Sequence, residues 1–133
     1  MKQITKRLKG GQDLKQDISK LIRENNIKAG VIASLVGGLS KAVLRIPVVS
    51  DKGQAIKTYE KPFEIVSATG TLGNGDMHIH ISVSDVEGNV FGGHLKEGCV
   101  VRGTVEVVIL IFDDVIYKRV FDEETGYDEL TAE

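Results

Sequence analysis

The sequence predicts an α+β domain, a mostly antiparallel sheet of about eight strands with one main helix. Two observations predict it. Apolar residues recur at helical spacing in one early segment, and β-branched runs bounded by glycine and turn residues fill most of the rest. No regular alternation of strand and helix runs along the chain, which argues against a parallel sheet.

The first strand is expected over 2–9, with Ile4 and Leu8 as its apolar residues. The helix follows near 13–25. Leu14, Ile18, Leu21 and Ile22 fall at i, i+4, i+7 and i+8, one helical face. Asp13 and Asp17 lie near its start, where the helix dipole favours negative charge, and Asn25–Asn26 offer a stop. Residues 30–49 read as two strands split by Gly37–Gly38. A turn is expected over 50–53, a strand over 54–60, and a further strand from Phe63 to Leu72. Two strands, 77–84 and 89–95, form a hairpin. Residues 99–112 and 115–121 are rich in β-branched residues and read as the last strands. The acidic tail, 122–133, is expected to be frayed. No internal repeat or linker interrupts the chain, so 1–133 reads as one domain with a core of about 3–122.

Composition excludes several classes. Hydrophobic residues make up 41% and charged residues 27%, a globular balance. No apolar run has the length of a membrane span, and the N-terminus lacks the apolar core of a signal peptide. With one cysteine, Cys99, no intramolecular disulfide can form. A cytoplasmic location is expected. Net charge is −2, so no basic excess calls for nucleic acid. The charge is uneven along the chain: residues 1–62 hold 13 Lys and Arg against 5 Asp and Glu, and residues 63–133 hold 4 against 14. Either the halves interleave and neutralise each other, or they form complementary surfaces between subunits.

The segment 75–99 carries the chemistry. Strand alternation puts His78, His80, Ser82 and Ser84 on one face, and Met77, Ile79, Ile81 and Val83 on the other. The apolar face belongs to the core, so the histidines point elsewhere. Asp85-Val86-Glu87-Gly88 has the Asp and Gly of a type I turn, and such a turn with a left-handed glycine makes a three-residue hairpin loop. Asp85 then pairs with Asn89, and His80 faces His94 directly. A two-residue loop would instead set His94 against Ile81 and break the cluster. These are the only three histidines of the chain. Three imidazoles so placed can hold one divalent transition metal, zinc or another, with a fourth position open for water or a ligand. The bland alternative is a polar patch on a hairpin.

The stretches GGLSKAVLRIP, FEIVSATGTL and HIHISVSDVEGNVFGGHL resemble the plants-and-prokaryotes-conserved (PPC) domain family. The resemblance covers roughly 3–122. It implies a compact α+β subunit that assembles as a homotrimer. The fold is also similar to that of acetolactate decarboxylase, which binds zinc through an HxH pair and a later histidine. By that likeness His78, His80 and His94 are the metal ligands. A metal with an open position polarises carbonyls or activates water, so the chain is expected to act on or sense a small oxo-acid-like molecule, with hydrolysis or decarboxylation by a metal-dependent lyase or hydrolase as the candidate chemistry. The alternative is a DNA-binding regulator, since plant members carry AT-hooks. This chain has no Arg-Gly-Arg-Pro core, and its charge disfavours DNA.

Further residues have two readings each. Glu64 is a general base or further ligand by the decarboxylase likeness, or else a solvated carboxylate at a strand start. Arg45 holds an anionic substrate or developing negative charge, or else forms an inter-subunit ion pair. Ser40 is a candidate hydrogen-bonding group. Cys99 reads as a small buried hydrophobe; Lys41 and Lys96 read as solvated. Tyr59, Tyr117 and Tyr127 are too scattered for a base-stacking platform. No HExxH, paired CxxC, P-loop or nucleophile elbow occurs.

Overall fold

The computed structural model describes residues 1–48 and 55–133. The elements are β1 (Lys2–Lys9), α1 (Leu14–Glu24), β2 (Gly30–Ile46), β3 (Ala55–Tyr59), β4 (Phe63–Gly73), β5 (Asp76–Ser84), β6 (Val90–Leu95), β7 (Val100–Ile111), β8 (Tyr117–Asp122) and β9 (Tyr127–Ala132). The predicted mostly antiparallel α+β class is observed. The expected turn at 50–53 and the first residue of the strand expected at 54 lie outside the described residues.

The helix forms as its sequence pattern demands. Leu14, Ile18, Leu21 and Ile22 are its buried residues. Asp13 caps its N-terminus, its Oδ1 accepting from Gln16 N at 3.0 Å. Its Oδ2 accepts from Gly98 N at 2.7 Å and ties the helix start to the loop before β7. The apolar helix face joins one cluster with Leu39, Phe63, Ile79 and Val105 from the sheet.

Among the described residues, seven strands form one sheet in the order β1-β7-β2-β4-β5-β6, with β3 added beside β2. β6 also pairs with the C-terminal part of β2, through Leu44–Leu95 and Arg45–His94. The path β2-β4-β5-β6 thereby returns to β2 and closes a ring of four strands.

Two expectations are corrected. Residues 30–46 form one strand rather than two split by Gly37–Gly38. The glycines mark a register shift against β7 instead of a break. A Cβ at Gly37 would stand 2.1 Å from the Thr104 carbonyl oxygen, so only glycine lets β2 lie this close to β7. The tail is also not frayed. Residues 127–132 pair with 117–122 as a second, two-stranded sheet. Its turn is held by Asp122, whose carbonyl accepts from Gly126 N at 2.8 Å and whose Oδ1 accepts from Glu124 N at 2.8 Å.

The halves of unlike charge interleave in the sheet, since β7 lies between β1 and β2. Ion pairs join them: Lys2 reaches Asp113 and Lys61 reaches Asp85. No helix among the described residues is long and apolar enough to cross a membrane.

Candidate metal centre

β5 separates two chemistries by simple alternation. Ile79, Ile81 and Val83 are buried, at 1%, 3% and 0% exposure. His78, His80, Ser82 and Ser84 take the other face. The turn that follows has the predicted three-residue loop. Gly88 N donates to Asp85 O at 3.0 Å, Asp85 N donates to Asn89 O at 2.9 Å, and Gly88 has φ +82°. Asp85 Oδ1 also accepts from the backbone N–H groups of Glu87 and Asn89, at 3.0 and 2.9 Å. Those bonds and Lys61, the largest influence, hold the Asp85 carboxyl down at about 2. The register that results sets His80 opposite His94.

The three histidines converge. One ring nitrogen from each lies within 4.8 Å of the others. His78 Nε2 and His80 Nε2 are 3.1 Å apart. His78 and His94 stack with centroids 4.9 Å apart, and the His80 and His94 rings are 5.6 Å apart. Nitrogens on a tetrahedral zinc, at about 2.0–2.1 Å from the ion, would be roughly 3.3 Å from each other. The donor set therefore fits a divalent ion with small side-chain adjustments.

Arg45 comes to this cluster from β2. Its Nη2 donates to His94 Nδ1 at 3.1 Å. Burial first, then the positive charge of Arg45, pushes His94 down to about 4. Burial and the neighbouring His80, Arg119 and Arg45 hold His78 below the usual imidazole value. His78 and His94 are thus neutral at pH 7, as metal ligands must be.

A cleft of about 470 Å³ opens beside His78 and His94. Arg45 and Lys96 line one part of it, and the second sheet lines another through Arg119 of β8 and Tyr127, Asp128 and Glu129 of β9. Arg119 Nε lies 3.3 Å from Asp76 Oδ2, and its Nη2 donates to Thr71 Oγ1 at 3.2 Å. Thr71 is the β4 partner of His78.

The other sequence candidates fall elsewhere. Glu64 pairs with Ser84 and Gly38 and lines a separate pocket with Arg102 and Thr104, away from the histidines. Ser40 is exposed, at a register shift in β2. Cys99 is buried, and burial raises its thiol above its usual value; its Sγ accepts from Val43 N at 3.2 Å. Lys41 pairs with Glu60. Lys96, read as solvated, lines the cleft. Tyr59 packs on Phe91, with centroids 4.9 Å apart. Sequence reasoning missed Arg119 and Asp76. The available signal was an Asp-to-Gly turn, Asp122 to Gly126, between two segments with strand character.

Comparison with known proteins agrees with this architecture. The family model described as the Plants and Prokaryotes Conserved (PCC) domain matches residues 1–113. A curated relative, the bifunctional protein GlmU of Synechococcus sp. (strain JA-3-3Ab), is 37% identical over 127 residues, covering 96% of this chain and 20% of that protein. The chain thus spans about a fifth of the length of the curated relatives it matches. A hypothetical protein from Salmonella cholerae-suis superposes with a TM-score of 0.92 at 32% identity, over 99% of this chain and 93% of its own. A protein from Archaeoglobus fulgidus, described as metal-containing, superposes with a TM-score of 0.86 at 30% identity, over 98% of this chain and 94% of its own. A Staphylococcus aureus protein of unknown function, described as similar to alpha-acetolactate decarboxylase, shares the fold at a TM-score of 0.55 and 18% identity, over 83% of this chain and 52% of its own.

Proposed function

This chain belongs to the Plants and Prokaryotes Conserved (PCC) domain family, and from that premise we propose that it binds one divalent transition metal, zinc first among them, through His78, His80 and His94, and acts on or senses a small oxo-acid at the open coordination position. The observation that carries the reading is the convergence of three imidazole nitrogens within 4.8 Å. The metal-containing description of the Archaeoglobus fulgidus protein supports it.

A bound ion with a free position would polarise a carbonyl or activate water, as a lyase or hydrolase of the metal-dependent kind requires. The chain's own residues prepare that site. The apolar face of β5 fixes the strand to the core, so His78 and His80 are carried on a rigid element. The Asp85–Gly88 turn holds the register that brings His94 to them. His78 Nε2 and His80 Nε2 lie 3.1 Å apart; for both to offer lone pairs to an ion, each neutral ring must carry its proton on Nδ1.

Assembly as a homotrimer belongs to the same reading. Val36 on β2 and Val66 on β4 are 54% and 57% exposed, apolar surface that self-association would cover. Light scattering should give three times the 14.5 kDa subunit mass. A stable monomer at micromolar concentration removes the trimer and leaves the metal site standing.

The test of the metal is elemental analysis of the purified protein, wild type against His80→Ala, after controlled zinc addition and dialysis. One zinc per wild-type subunit and its loss in the variant are expected. Equal metal in both, or none in either, would reduce the cluster to a polar patch.

A further inference from the structure

Resting on that metal reading, we infer that Arg119 and Arg45 form a carboxylate subsite beside the three histidines, and that the C-terminal hairpin β8–β9 supplies its selective wall. The ligand class is a small monocarboxylate bearing a second oxygen group, such as a 2-oxo acid.

Position argues first. Arg119 and Arg45 line the same cleft as His78 and His94 yet arrive from opposite sides of the chain, one on β8 and one on β2. The cleft volume, about 470 Å³, lies within the usual range for small-molecule sites.

The anchoring of Arg119 argues second. Its side chain is only 21% exposed. Asp76 holds Nε and Thr71 holds Nη2, while Nη1 has no bond among the described residues. A long side chain restrained at two of its nitrogens has already lost much of its rotamer freedom, so little more is lost when it binds. The planar fork of a guanidinium suits a carboxylate better than a point charge would.

Arg45 argues third. A neutral imidazole has one lone pair. Arg45 uses that of His94, so its bond and a metal on His94 exclude each other. Once displaced, the guanidinium would remain at the cleft beside His94, with no other side-chain bond to its donors among the described residues.

The β9 rim limits the size of the ligand. Asp128 and Glu129 also line the cleft. Their carboxylates repel a ligand whose negative charge extends far from the two arginines, which disfavours a polyanion and favours one small acid.

The test uses the full chain loaded with zinc, titrated calorimetrically with pyruvate and with uncharged pyruvamide, and zinc is counted in the same samples. Wild type should bind pyruvate, and Arg119→Gln should weaken it by about tenfold or more while keeping one zinc. Pyruvamide should bind more weakly than pyruvate and be indifferent to the substitution. Arg119→Lys, which retains the charge and loses the fork, should fall between the two; if Arg119→Gln fails to fold by circular dichroism, this variant decides. Pyruvate binding unchanged by either substitution, or absent in wild type, overturns the subsite. If wild type holds no zinc, the metal reading has failed by itself, and the same titrations on the zinc-free chain judge the arginine pair by the same outcomes.

Discussion

Arg45 on β2 donates to Nδ1 of His94 on β6 at 3.1 Å, across the pairing that closes the strand ring. A cation therefore competes with any metal for the single lone pair of that imidazole. Replacing Arg45 with Met removes the competitor and keeps the aliphatic stem. We expect Arg45→Met to bind zinc about three- to tenfold more tightly, read by competition with a chromophoric chelator; the direction follows from the loss of one charged hydrogen bond. Weaker binding in the variant would mean that Arg45 helps to build the site.

The pH behaviour of the zinc-free chain has a defined sign. His94 titrates at about 4 in the folded chain, against about 6.5 when unfolded. Between these values the unfolded chain binds more protons, so stability rises with pH through that window. The contribution is fully present above about 6.5 and lost as pH falls toward 4. Melting temperatures in EDTA at pH 7.5, 6 and 5 should decline, and His94→Asn should flatten the decline. Parallel curves for the two proteins would remove His94 as the cause.

Adjacent residues on β5 should respond oppositely to truncation. Ile79 is 1% exposed and belongs to the core cluster. Ile79→Ala should cost about 2–5 kcal/mol by denaturant unfolding, through lost burial and a cavity. His80 lies on the exposed face of the same strand. His80→Ala should cost the zinc-free chain under about 1 kcal/mol, within the range of surface substitutions. Similar losses for both would mean that the histidine face is structural.

Gly37→Ala tests the close passage of β2 along β7. The added methyl would meet the Thr104 carbonyl oxygen at 2.1 Å and Val105 Cα at 2.7 Å, both backbone atoms that cannot rotate away. A loss of about 3 kcal/mol or failure to fold is expected, from overpacking against main chain. A wild-type unfolding midpoint would show that the strands can separate freely there.

Much of this molecule was legible locally. The helix face of Leu14, Ile18, Leu21 and Ile22 follows from spacing alone, because a helix makes its own contacts within four residues. The histidine register followed from the Asp85–Gly88 turn, because a hairpin loop sets which residues oppose each other without help from the rest of the chain. Gly37–Gly38 misled for the same local reason. Two glycines read as a break, and only the presence of β7 turns them into a point of close approach.

What the sequence determined, then, was the set of three histidines, the face they share and the turn that aligns them, all within 17 residues of chain. Tertiary structure alone decided what surrounds them. Arg45 reaches His94 across 49 positions because β2 is long enough to pair with both β4 and β6. Arg119 reaches Thr71 across 48 positions because the acidic tail folds into a hairpin rather than fraying. Alternation and turn chemistry act over a few residues and leave a readable pattern. Pairings between distant strands depend on the whole sheet closing, and no short segment carries their signature.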